Sequence, residues 1–153
     1  MKTNFFSYSS KINLPPNEVY KWHESREAIS QLMPKNLIDI LKYSSIAEGN
    51  ELHFKIKVFF GIFKLNWVAK IEKVIRGKEF TDIQIKGPFK YWRHRHIFKR
   101  LENGKKCLMK DQIEFVLFGG SIINFLLKPI VIKNLKNTFQ TRHSKLREAI
   151  EKN

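Results

Sequence analysis

Between residues 52 and 118 the chain keeps a period of two, the repeat of a β-strand with one face buried. Leu52, Phe54, Ile56, Val58 and Phe60 alternate with Lys55, Lys57 and Phe59, and a turn follows at Gly61. Phe63, Leu65, Trp67, Ala69 and Ile71 then alternate with Lys64, Asn66, Val68, Lys70 and Glu72. Arg76-Gly77-Lys78 turns the chain into a strand over 80–86, and Gly87-Pro88 turns it again into a strand over 91–101. Asn103-Gly104 predicts a type I′ hairpin, because both residues tolerate positive φ, and a last strand over about 106–118 follows. Ahead of this block, residues 4–12 read as a first strand that Leu14-Pro15-Pro16-Asn17 ends. Pro16 suits a first helical turn, where its missing N–H has no partner to lose. Val19, Tyr20 and Trp22 mark a short helix, and Ser25 can cap a second one running to Met33, where Pro34 stops it. After the strands the period changes. Leu135, Phe139, Arg142/His143, Leu146 and Ile150 recur at spacings of three and four, with Lys133, Lys136, Lys145 and Lys152 mostly off that stripe.

An antiparallel sheet with one apolar face needs a cover, and the C-terminal amphipathic helix is the only element long enough to supply it. The expected class is therefore α+β. A length of 153 residues fits one domain over 1–153. It can bury a core without metal or disulfide staples. Thirteen Phe among 42% apolar residues exclude disorder, and that aromatic volume must either pack a dense core or line a cavity. Cys107 is the sole cysteine, so no intrachain disulfide can form and a reducing, cytoplasmic setting is expected. It alternates with Met109 and Asp111, as a small core residue would. The segment Met1–Ser7 has no apolar run or small-residue cleavage site, so it does not read as a signal peptide.

The formal charge of +15 sits almost wholly after residue 50. Such a field attracts nucleic acid or anionic lipid. Outward positions Lys55, Lys57, Lys64, Lys70, Arg93, Arg95, Lys99 and Lys110 form a basic sheet face. Only Phe59 and Tyr91 are placed there to stack on bases, which makes nucleic-acid binding the weakest reading. The stretch from Phe115 to Ile132 is nearly long enough to span a bilayer. Gly119-Gly120, Asn124 and Lys128-Pro129 interrupt it, and the lysine alone costs ~2.5–3.5 kcal/mol near a membrane centre, so no span is expected. Ile122, Ile123, Phe125, Leu126 and Leu127 fall at the junction of last strand and helix, ahead of Lys128, Lys133 and Lys136. Two expectations compete there. One is weak docking on an anionic membrane through Ile122, Phe125 and Lys128; the other is packing of this segment under the first helix pair.

From Phe80 to Phe98 the chain carries Phe80, Asp82, Gln84, Gly87-Pro88-Phe89, Trp92, His94, His96 and Phe98 at fixed spacing. This run resembles the pattern F-x-D-x-Q-x-x-G-P-F-x-x-W-x-H-x-H-x-F of the cyclase/dehydrase-like branch of the START-related (SRPBCC) superfamily. Leu14-Pro15 with Glu18-Val19-Tyr20, then Leu108, Asp111 and Ile113, and finally Phe139-x-x-Arg142 agree with the same family, so the likeness spans nearly the whole chain. Phe118 departs from it, since related chains often have proline before that glycine. The resemblance implies a helix-grip fold: a curved antiparallel sheet of about seven strands wrapped around a long C-terminal helix, with two short helices after the first strand. It also implies a deep apolar cavity between sheet and helix. The expected function is to bind a hydrophobic small molecule there (a lipid, quinone or aromatic metabolite) as carrier or sensor. A small cyclase or dehydratase acting in the same cavity is the alternative.

Within the motif, Trp92, His94, His96 and Phe98 share one strand face. The Asn103-Gly104 turn sets His96 across from Asp111, Phe98 across from Met109 and Trp92 across from Phe115. A three-residue loop at Gly87-Pro88-Phe89 would place Asp82 opposite His94 and Gln84 opposite Trp92. The expected ligand-binding wall is therefore Trp67, Asp82, Gln84, Trp92, His94, His96, Phe98, Asp111, Phe115 and Phe139, with a hydrogen bond between Asp111 and His96. Its polar members admit several roles. They can form a buried network that fixes strand register, orient a ligand's polar end, or perform acid–base chemistry. A His-x-His pair beside two carboxylates can also ligate a metal. The bulky aromatics around it argue the other way, so neither metal nor cofactor is expected.

Overall fold

The computed structural model describes residues 3–32, 38–58 and 62–151. The elements run β1 (Asn4–Ile12), α1 (Pro16–His23), α2 (Arg26–Leu32), β2 (Ile38–Lys42), β3 (Glu51–Val58), β4 (Phe63–Ile75), β5 (Glu79–Lys86), β6 (Phe89–Leu101), β7 (Lys106–Leu117) and α3 (Gly120–Ile150). The strands form one antiparallel sheet of order β1-β7-β6-β5-β4-β3-β2, so the first strand crosses the molecule to pair with the last. The sheet curves around α3, and α1 and α2 close one end. This is the helix-grip architecture.

Local chemistry accounts for most boundaries. Pro16 opens α1, and the Ser25 hydroxyl accepts the Ala28 N–H at 3.0 Å to cap α2. Asn103 (φ 56°, ψ 29°) and Gly104 (φ 89°) form the type I′ turn, with the Lys105 N–H donating to the Glu102 carbonyl. The register it imposes is the expected one: Trp92 faces Phe115, His96 faces Asp111 and Phe98 faces Met109. Asp82 faces His94. Gln84 does not pair with Trp92. Its amide instead donates to the Phe89 carbonyl at 2.7 Å and accepts the Phe89 N–H at 3.3 Å, bracing the turn between β5 and β6.

Other elements differ from the sequence reading. β2 was not anticipated, because Ile38-Asp39-Ile40-Leu41-Lys42 is only five residues long and its register is broken by a bulge. The predicted ends at Met33-Pro34 and Phe59-Phe60-Gly61, and Lys152, lie outside the described residues. β7 stops at Leu117 and α3 starts at Gly120, so residues 122–127 are the first turns of the helix, at its junction with the last strand. Gly119 makes that corner possible: its φ is +91°, and a Cβ there would sit 2.7 Å from Ile123 Cγ1. Asn124 then staples helix to sheet. Its amide accepts the Leu117 N–H at 2.8 Å, donates to the Leu117 carbonyl at 2.9 Å, and takes a bond from Asn4 at 3.3 Å.

The core has two dense parts and one loose one. Ile12, Val19, Tyr20, Phe98, Cys107, Met109 and Leu146 pack under α1, with Cys107 fully buried as expected. Phe6, Trp92, Ile113, Phe115, Leu117 and Phe139 pack under the middle of α3. Leu52, Phe54, Ala69 and Ile71 of β3 and β4 form a third, smaller cluster. In α3, the predicted stripe is the buried face: Phe139, His143 and Leu146 are buried, and Leu135, Arg142 and Ile150 partly so. The first half of the helix is different. Ile122 is 73% exposed and Phe125 79%, and Leu126 and Ile130 are also exposed, so the segment does not pack under α1 and α2. No helix among the described residues is long and apolar enough to cross a membrane.

Candidate functional site

Where β3 and β4 curl away from α3, their apolar side chains do not reach the helix. A cavity of about 340 Å³ remains, closed by α2 on one side and by Leu135, Thr138, Phe139 and Arg142 of α3 on the other. Ile29, Leu32, Leu52, Phe54, Ile56, Trp67, Ala69 and Ile71 make most of its wall. Phe89 and Trp92 close one end, with Trp67 set edge-on to Trp92 at 5.2 Å. The polar groups gather on one stretch of wall: His23, Asp82, His94, His96 and Arg142.

Six of the ten sequence-predicted residues line this space: Trp67, Asp82, Trp92, His94, His96 and Phe139. The other four do not. Gln84 is spent on the β5–β6 turn. Phe98 packs against Tyr20 and His23, 5.4 Å and 5.1 Å away. Phe115 is fully buried in the cluster under α3. Alternation chose the inward face correctly for Phe98 and Phe115, but α1 and α3 already cover that face where they lie. Asp111 is 1% exposed and stands behind the histidines rather than in the cavity wall.

Asp111 is nevertheless the hub of the polar network. His94 Nε2–H donates to Asp111 Oδ1 at 2.8 Å, and His143 Nε2–H donates to Asp111 Oδ2 at 2.6 Å. Ser10 Oγ–H donates in turn to His143 Nδ1 at 2.6 Å. The expected Asp111–His96 hydrogen bond is replaced by a closer contest. His96 Nδ1 lies 3.0 Å from Asp111 Oδ1 without hydrogen-bond alignment, while His96 Nε2–H donates to Asp82 Oδ2 at 3.2 Å. His94 Nδ1 is 3.6 Å from the same Asp82 oxygen. Two carboxylates thus bracket two adjacent imidazoles, tilted 44° to each other with centroids 3.8 Å apart, one from the cavity side and one from behind. Asp82, His94 and His96 bring their ligand atoms within 4.8 Å of one another and are the residues that could hold a metal ion.

Burial and charge split the two imidazoles. Burial and the neighbouring His96 push the pKa of His94 down, against Asp111 and Asp82. For His96 burial pulls down too, but the approach of Asp111 and Asp82 outweighs it and raises the pKa. Burial opposes the charge on Asp111, yet the three histidines around it hold its carboxyl well below the usual range. His23, donating from Nδ1 to the Val19 carbonyl at 2.8 Å, is pushed down to about 3 by burial.

His143, Arg142 and His23 were not among the predicted site residues. A histidine on the apolar stripe of a helix covering a carboxylate-bearing strand was the available signal for His143. Three of the eight outward basic residues are in ion pairs: Lys57 with Asp39, Arg93 with Glu72 and Glu114, and Arg95 with Glu79.

Known structures share this architecture. The Zhui aromatase/cyclase from Streptomyces sp. R1128 superposes with a TM-score of 0.75 at 8% identity, covering 98% of this chain and 94% of that one. A START superfamily protein from Mycobacterium smegmatis gives 0.72 at 12% identity, covering 97% of each chain. Norcoclaurine synthase from Thalictrum flavum, in complex with dopamine and hydroxybenzaldehyde, gives 0.73 at 10% identity, covering 99% and 88%. At these identities the likeness speaks for the fold alone. No curated protein matches the sequence. Residues 12–141 match the model of one family, described as polyketide cyclase / dehydrase and lipid transport, and the chain belongs to that family, within the START-related superfamily.

Proposed function

We propose that the chain binds a hydrophobic small molecule, a lipid, quinone or aromatic metabolite, in its internal cavity and serves as carrier or sensor. One observation carries this reading: a cavity of about 340 Å³ with an aliphatic and aromatic wall and a single polar stretch. Pockets for small organic ligands run from ~300 to 1,000 Å³, with a few polar groups fixing orientation. Arg142 supports it further. The guanidinium faces the cavity and lies over the Phe139 ring at 4.9 Å, with no ion pair within 4 Å among the described residues. A charge left so is usually paired, and a ligand oxygen would complete it. The test is titration with a fluorescent fatty acid. Micromolar binding that Ile56→Trp abolishes by filling the cavity, with the fold retained, supports the reading; no binding by any apolar probe or extracted metabolite refutes it.

A second reading, the small cyclase or dehydratase, rests on the opposite pKa directions of His94 and His96 at the cavity wall. An acid and a base side by side suit enolisation or dehydration of a bound ketone. Turnover of a reactive polyketone lost in His96→Gln would favour this reading over the carrier.

Ligand loading gives the exposed start of α3 a role. Phe118, Ile122, Phe125, Leu126 and Ile130 expose apolar surface beside Lys128 and Lys133. Apolar insertion beside cations, each worth ~1 kcal/mol at an anionic surface, fits docking on acidic lipid through Ile122, Phe125 and Lys128. Co-sedimentation with anionic but not neutral vesicles is the expected result, and equal recovery in both supernatants would rule it out.

A further inference from the structure

The bracketed histidines carry more than a ligand-orienting network. We propose that Asp82, His94 and His96 form a divalent transition-metal site of the zinc type, open to the cavity. The cation requires only the cluster itself; the identity of its fourth ligand rests on the cavity reading above.

The geometry is the first argument. Asp82 and His94 are directly opposed across β5 and β6, and His96 is two residues on, so all three point to one side of the sheet. Asp82 Oδ2 is 3.6 Å from His94 Nδ1 and 3.2 Å from His96 Nε2. Ligand atoms ~2.0–2.1 Å from a tetrahedral zinc ion stand ~3.3 Å apart. The two observed separations straddle that tetrahedral edge, and the ligand atoms of all three residues fall within 4.8 Å of one another.

The arrangement behind the histidines is the second. Metal-binding imidazoles almost always donate their other N–H to a carboxylate or carbonyl, which fixes tautomer and ring angle. His94 Nε2–H is given to Asp111, leaving Nδ1 to face Asp82. His96 presents Nε2 to Asp82, and its Nδ1 lies 3.0 Å from Asp111 without hydrogen-bond alignment, so only His94 has the outer hydrogen bond already in place. One carboxylate thus stands behind both imidazoles and the other stands beside their free edges. His143, bonded to the second oxygen of Asp111, holds that carboxylate in turn.

The aromatic neighbours lock the rings and do not block the site. Phe80 stacks on His96 with centroids 4.0 Å apart and planes 18° apart. Phe139 meets His94 edge-on at 5.3 Å. Both imidazoles are therefore held in place before any ion arrives. The fourth position opens on the cavity that Asp82, His94 and His96 all line. Three protein ligands with one open position are the mark of a zinc site that works on a bound molecule, whereas a purely structural site is closed.

Arg142 then selects the fourth ligand. It lines the same wall, and its charge opposes a cation. With two carboxylates, one guanidinium and a divalent ion the site keeps one surplus positive charge. An anionic oxygen at the end of an apolar body, such as a carboxylate, enolate or phenolate, balances that charge and bridges the metal to Arg142.

The test uses the full-length protein stripped by a chelator. Dialysis against Zn²⁺ should leave one ion per chain, and Co²⁺ should give the intense visible bands of a four-coordinate ion. Asp82→Asn and His96→Gln should each weaken Zn²⁺ binding by at least ~100-fold. Asp111→Asn, which only positions the rings, should weaken it ~10–100-fold. His53→Gln, removing the surface histidine paired with Glu51, should change nothing. A folded wild-type chain that binds no Zn²⁺, or binding that survives Asp82→Asn and His96→Gln undiminished, overturns the proposal. Should thermal melts show that His96→Gln fails to fold, Asp82→Asn and the Co²⁺ spectrum still decide. A fatty-acid probe separates the two readings: binding of probe without metal sinks only the metal site, and metal without probe sinks only the apolar-cavity reading.

Discussion

The two sides of the sheet are built from similar residues and do different things. Under α1 and the C-terminal half of α3, the strands β6, β7 and β1 are covered so closely that Ile12, Cys107, Ile113 and Leu146 have no exposed surface. Across the sheet, β3 and β4 present Leu52, Phe54, Ala69 and Ile71 to α2 and α3 but leave a void. Aliphatic content does not separate them. The difference is reach: α3 rests on one side of a curved sheet and stands off the other. The tight packing belongs to the closed side and the void to the open one, with the histidine–aspartate network at the seam.

The largest expected effect lies at that seam. Asp111→Ala strips the acceptor from His94 and His143 together, and removing one partner of a buried charged network costs about 3–5 kcal/mol; urea unfolding measures it. A matched pair of leucines comes next. Leu146→Ala on the closed side should cost ~4 kcal/mol and Leu52→Ala on the cavity wall ~2 kcal/mol, within the 2–5 kcal/mol range for such truncations. A wall residue already lacks partners on one side, so it has fewer contacts to lose. Equal costs would mean that the open side is as tightly packed as the closed one.

Acid should affect the seam before the sheet. His23 has a folded pKa of about 3 against 6.5 when free. The unfolded chain therefore binds a proton that the folded one refuses, and stability falls as pH drops below about 6.5. Between pH 7 and 5 this amounts to ~2 kcal/mol. His96, Asp111 and Arg142 also act on His23, and His96, with its raised pKa, contributes in the opposite sense. His23→Phe isolates the effect: the variant should lose less stability than wild type over that interval, and an identical pH profile would remove His23 from the account. The smallest change in stability belongs to Phe125→Asp, within ~0.5 kcal/mol of wild type as for other exposed positions, while vesicle binding is lost. A marked fall in stability would show that the start of α3 is packed after all.

What could be read from the sequence follows the range of the forces involved. The β6–β7 register was legible because Asn103-Gly104 sets it locally, and with it the approach of His96 to Asp111. The Asp82–His94 pairing followed from a nearby turn in the same way. β2 was missed, being an edge strand of five residues with a bulge. The start of α3 was not legible, because Gly119-Gly120 and Pro129 mask helical periodicity in a segment whose apolar residues are exposed. The role of His143 depends on where a helix lands on a sheet 32 residues away, which no local pattern encodes. Phe98 and Phe115 failed as cavity residues for a related reason. Alternation tells which face a side chain takes, and only the path of the covering helices tells whether space remains above it.

Pairing of the first strand with the last sets a timetable for the nascent chain. Asn4 waits for Phe115 and Ile12 for Cys107, so β1 has no partner until β7 has been made. At ~5–20 residues per second of synthesis, the wait is about 5–20 s. Throughout it Phe6 and Ile12 have no β7 to bury them; strands β2 to β6 can pair in chain order, and the sheet closes last along the seam of β7 with β1. A ribosome paused before residue 107 would hold a chain unable to complete its fold, and such arrested chains should be degraded by added protease along their whole length, including the segment that becomes β1.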